Sequence, residues 1–125
     1  MQELLGLEDA NSIKAVSGMG GGIAGRGEVC GALTGAVAAL GLALGTHLPS
    51  QERNPRLREL ACQLCEDFEQ EWGSVLCRVV RPLAEARLGA RDVAKGCTVL
   101  VRYVAEEVAR LLMENASCEC EADGN

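Results

Sequence analysis

The sequence predicts an all-α fold, a compact bundle of about five helices in which a Gly-rich loop leads into a central Gly/Ala-rich helix. Three observations predict it. Apolar residues recur at spacings of three and four in the second half of the chain. No segment shows the alternation of a half-buried strand. With one Phe, one Trp and one Tyr in 125 residues, the core must be built from Leu, Val and Ala. Such a core suits close helix packing better than a sandwich of aromatic and β-branched strands.

Residues 2–9 (QELLGLED) read as the tail of a helix, and Asp9 or Asn11 caps a short helix ending at Val16. The glycine loop of residues 18–27 follows. A helix then runs from about Glu28 to Leu44, with Gly27, Gly31 and Gly35 at i, i+4, i+8. Mid-helix glycine costs about 1 kcal/mol against alanine, so this stripe is expected to serve a close backbone approach, and it offers a homodimer seam. Thr46 to Pro55 is a linker. Pro55 to Trp72 is an amphipathic helix on Leu57, Leu60, Ala61, Leu64, Cys65, Phe68 and Trp72, ended by Gly73. Residues 74–83 form one or two helical turns stopped at Pro82. Asp92 caps a final helix whose regular start is delayed by Gly96, with Cys97, Leu100, Val101, Val104, Val108, Leu111 and Leu112 on one stripe. The domain covers residues 1–115, and residues 116–125 are an acidic tail expected to be disordered.

A formal charge of −6, from 12 basic and 18 acidic residues, excludes the basic face that nucleic-acid binding needs. The uncharged run from Val29 to Leu48 has the length of a membrane span. Its glycines, alanines and threonines give modest apolar drive, so a buried central helix is expected and no stable membrane insertion. Residues 1–10 carry Glu3, Glu8 and Asp9 and no basic start. The expectation is a cytoplasmic protein whose seven cysteines are reduced and serve redox or metal roles.

The thiols differ in their settings. Cys30 falls in the first turn of the central helix, where free N–H groups and the macrodipole favour a thiolate, so a lowered pKa is expected. Cys77 and Cys97 also stand near helix starts and face inward. Gathered together, Cys30, Cys77 and Cys97 could hold a metal or pass a disulfide. Soft thiolates suit an iron–sulfur cluster or another thiophilic metal. The backbone N–H groups of Gly20, Gly21, Gly22, Gly25 and Gly31 could donate to the bound centre. In the metal-free alternative Cys30 attacks and Cys77 or Cys97 resolves. A third reading is a non-catalytic helical interaction protein with cysteines as core filler.

Other motifs carry less. Gly20 to Gly25 matches GxGxxG, but no strand precedes it and no βαβ unit surrounds it. Cys62 and Cys65 form a CxxC in mid-helix, away from the helix N-terminus where redox pairs work. His47 is the one histidine, which leaves zinc without a His pair. Cys118 and Cys120 lie in the tail, and Asn115-Ala-Ser117 is a sequon without consequence inside a cell.

Cys30-Gly31-Ala32-Leu33-Thr34-Gly35 reads CGAxxG. It is preceded by GMGGGIAGRGE and followed by FEQEWGSVLC, ending at Cys77, and by GCTVLVRYVAEEVARLL, containing Cys97. This pattern, over about residues 3–113, resembles the C_GCAxxG_C_C family, described as redox-active. The resemblance implies four hallmark cysteines, three of which correspond to Cys30, Cys77 and Cys97. The first would precede the segment of residues 2–9 and has no counterpart. Cys62 and Cys65 stand outside the pattern. An iron–sulfur role in electron transfer, with an unidentified redox partner, is what the resemblance implies by analogy.

Overall fold

The structure, a computed structural model, describes residues 9–88 and 93–123. Among the described residues, five α-helices and one 3-10 turn make up the fold: α1 (Ala10–Val16), the 3-10 turn (Ser17–Met19), α2 (Gly31–Leu44), α3 (Pro55–Trp72), α4 (Cys77–Leu88) and α5 (Val93–Asp123). The all-α bundle expected from the sequence is the fold observed. The expected helix tail at residues 2–8 and the cap at Asp92 lie outside the described residues.

Helix ends follow local chemistry. Asp9 caps α1: its Oδ1 accepts from the Asn11 N–H at 2.9 Å, and its Oδ2 accepts from Ser12 Oγ at 2.6 Å. These bonds favour the carboxylate and lower its pKa, the Ser12 bond most. Asn54 caps α3 by accepting from the Arg56 N–H at 3.0 Å, with Pro55 in the first turn. Gly73 ends α3 in the left-handed region, its N–H bonded to Glu69 O at 2.7 Å.

The core is one cluster: Leu33, Ala36 and Leu40 of α2, Leu64, Phe68 and Trp72 of α3, Val80 and Ala84 of α4, and Leu100, Val104, Val108 and Leu111 of α5. Spacings of three and four keep each set on one helix face. Phe68, Trp72 and Tyr103 meet as a trio with ring centroids 6.1–6.5 Å apart. The Arg87 guanidinium covers the Trp72 ring at 4.0 Å. Among the described residues no helix is long and apolar enough to cross a membrane.

Four expectations are corrected. Helix α2 begins at Gly31 rather than Glu28, because residues 28–30 commit their backbone to a bridge with residues 75–77. Gly27 therefore precedes the helix; a Cβ at Gly31 would stand 2.8 Å from Met19 O, so the expected close backbone approach is met there, whereas one at Gly35 would meet nothing within 4 Å. Helix α4 does not stop at Pro82 but continues to Leu88. Val80 and Ala84, both fully buried, anchor it on either side of the proline, and that packing overrides one lost hydrogen bond. Gly96 does not delay α5; it lies inside it, buried where α5 crosses α4. A Cβ there would stand 2.6 Å from Glu85 Cγ and 3.2 Å from Glu85 N, so glycine sets the distance between the helices. Helix α5 reaches Asp123, beyond the point where composition turns acidic.

Candidate functional site

The site is built by a left-handed turn and a two-residue bridge. From Gly21 to Gly25 every residue has positive φ (65°, 67°, 63°, 51° and 78°), including Ile23 and Ala24. L-residues pay about 1–2 kcal/mol each for such a turn, and the chain closes it with its own hydrogen bonds. The N–H groups of Ile23, Gly25, Gly27 and Glu28 donate to the carbonyls of Met19, Gly20, Gly21 and Gly22 at 2.9–3.2 Å. The turn throws the chain back against the start of α4. Gly22 is buried there, and a Cβ on it would stand 2.6 Å from Glu28 N and O and 2.7 Å from Cys77 Cβ.

The bridge pairs Val29 with Leu76 in antiparallel fashion. The Cys30 N–H donates to Val75 O at 2.8 Å, and the Cys77 N–H donates to Glu28 O at 2.6 Å. Residue 30 therefore stands opposite 75, and residue 77 opposite 28. Cys30 and Cys77 are diagonal neighbours on one face of the bridge. In a regular ladder that relation places residues about 7–8 Å apart. Each cysteine then opens into a helix, α2 or α4.

Helix α5 brings the third thiol. Cys30, Cys77 and Cys97 line one cavity of about 320 Å³, together with Gly20, Gly21, Gly31, Ala32, Arg81, Leu100 and Val101. Cys30 and Cys77 are buried, while Cys97 is half-buried. Val101 belongs to the apolar stripe of α5 yet is 52% exposed at the cavity wall.

The five glycines nominated as donors divide. Gly20, Gly21 and Gly31 reach the cavity. The Gly25 N–H is spent on Gly20 O at 3.2 Å, and Gly22 is packed between Glu28 and Cys77. Cys62 is exposed and Cys65 half-buried against the core; neither lines the cavity. The side chains of Cys118 and Cys120 lie outside the described residues.

Arg81 is the group that reading the thiols alone missed. Its signal was present, because Arg81 stands four residues after Cys77 and so shares its helix face. Its guanidinium pairs with Glu85 at 3.7 Å.

The expected low pKa of Cys30 is corrected. Burial raises it; the N–H groups of Leu33 and Ala32 pull it down, and the neighbouring sulfurs of Cys77 and Cys97 push it up again. The helix N-terminus acts as expected, but desolvation of the thiolate outweighs it. As pH rises, Cys30 of the unfolded chain ionises first. Its contribution to stability is therefore full below the ordinary thiol pKa of about 8.5 and is lost above it. Alkylation by iodoacetamide, followed by peptide mapping across pH 6–10, should show Cys30 lagging behind exposed Cys62 throughout. Cys30 reacting first at pH 6 would contradict this account.

The residues do not fit a resident metal as they stand. Among the described residues no group of three or more His, Cys, Asp or Glu side chains is placed to hold a metal ion. The thiols surround a space, and no chemical step below depends on an ion in it.

A family model described as "Putative redox-active protein (C_GCAxxG_C_C)" matches residues 1–111. Comparison with curated proteins and with solved structures finds no match.

Proposed function

The chain belongs to the C_GCAxxG_C_C redox-active family, and from that premise we propose that it carries out two-electron thiol–disulfide exchange in the pocket of Cys30, Cys77 and Cys97. The observation that carries this reading is the convergence of three thiols, from three different helices, on one cavity. Burial favours one order. Cys97, the least buried of the three, meets an incoming disulfide. Its thiolate attacks one sulfur, the incoming S–S bond breaks, and the departing thiolate takes up a proton. Cys77 or Cys30 then attacks the Cys97 sulfur and displaces the second half of the partner. Two protein thiols have become a disulfide, and the partner has gained two electrons and two protons.

This order departs from the expectation that Cys30 attacks. A thiol whose pKa is raised by burial is a poor first nucleophile at neutral pH, but it can complete a bond with a sulfur brought beside it. No step is routed through a metal.

The test is titration of the reduced protein with one equivalent of a small disulfide, followed by mass mapping under acid quench. The expected product links two of Cys30, Cys77 and Cys97. Cys97→Ser should slow its formation at least tenfold. Bonds confined to Cys62, Cys65, Cys118 or Cys120 would overturn the reading.

A further inference from the structure

We propose that the pocket selects a low-molecular-weight disulfide bearing a carboxylate, and that Arg81 is the residue that reads this charge. The inference rests on the redox reading above and names the substrate class for it. Apart from the thiols, the cavity is lined by Ala32, Leu100, Val101 and the glycine backbone. Among the described residues, Arg81 is the one charged lining residue. Its side chain is 40% exposed and shares a helix face with Cys77.

Glu85 does not consume it. Their separation of 3.7 Å exceeds the roughly 2.7–2.9 Å of a charge-assisted hydrogen bond, and guanidinium has five donors in a planar fork suited to a carboxylate. A chain of net charge −6 does not gather anions by its overall field. A single guanidinium at an otherwise apolar wall therefore acts as a local selector. Size narrows the class further. About 320 Å³ holds on the order of ten waters at ~30 Å³ each, a size that suits a small thiol with one acid group.

In the exchange, a protein thiolate displaces one half of the acid disulfide as a thiolate. The other half stays bound through sulfur, with its carboxylate on Arg81. A second protein thiolate then releases that half, so the substrate leaves as two thiols and the protein holds one disulfide.

The test uses the reduced full chain and three disulfides of similar size: 3,3′-dithiodipropionate (anionic), bis(2-hydroxyethyl) disulfide (neutral) and cystamine (cationic). Rates are scored by mapping bonds at Cys30, Cys77 and Cys97. The anionic reagent should react roughly tenfold faster than the cationic one, the scale of one charge-assisted contact. Arg81→Gln should erase that preference, slowing the anionic reagent more than the neutral one, and Arg81→Lys should retain part of it. A flat or reversed order in the native protein, or an equal slowing of all three by Arg81→Gln, would overturn the proposal alone. Failure of every reagent to form a bond among the three thiols would instead defeat the redox reading beneath it.

Discussion

Gly22→Ala is expected to destabilise the protein by roughly 2–5 kcal/mol, combining a left-handed conformation with overpacking. Its φ is 67°, and the added methyl would stand 2.6 Å from two backbone atoms of Glu28 and 2.7 Å from Cys77 Cβ. None of these is the flexible end of a side chain, so the loop must move away from α4. That movement breaks the bridge placing Cys30 beside Cys77, and the bond between thiols of the pocket should form more slowly as well. Urea unfolding measures the first effect and disulfide mapping the second. Gly25→Ala is the control. It has a φ of 78° with open space around its Cβ, so it should cost only the left-handed conformation, about 1–2 kcal/mol. Equal losses in the two variants would show that contact with Cys77 and Glu28 is immaterial.

Phe68→Ala should cost about 3–5 kcal/mol, the range for emptying a buried aromatic site. Against a typical total of about 5–15 kcal/mol, that is a third or more of the stability. Phe68 is fully buried and packs its ring against both Trp72 and Tyr103. Tyr103 also donates from its hydroxyl to Asp67 O at 3.2 Å, tying α5 to α3 at the same level. Phe68→Leu keeps most of the volume and should lose less than half as much. Chemical denaturation checks both, and a Phe68→Ala loss below about 1 kcal/mol would mean that the core collapses into the gap.

Local signals read the helices well where burial is one-sided. Leu64, Phe68 and Trp72 repeat every four residues, and Pro55 and Gly73 bracket α3 as capping chemistry requires. The same reasoning misplaced the start of α2, the end of α4 and the role of Gly96. In each case a partner distant in the chain supplied the deciding contact: the bridge to residues 75–77, the burial of Val80 and Ala84 around Pro82, and Glu85 against Gly96. The three thiols of the site were legible from their places at helix starts and from the family pattern. Arg81 was overlooked because the reading followed sulfur and left its neighbour one turn along the helix aside.

Periodicity, caps and glycine punctuation by themselves determined an all-helical chain and nominated Cys30, Cys77 and Cys97, because these features act within a few residues. Tertiary structure decided how the thiols behave. Whether Cys30 is a thiolate depends on a contest between nearby N–H donors, which the sequence shows, and desolvation, which arises only when α2, α4 and α5 close around the sulfur. Burial depends on contacts between distant segments, and it raises the Cys30 pKa where the helix start alone would lower it.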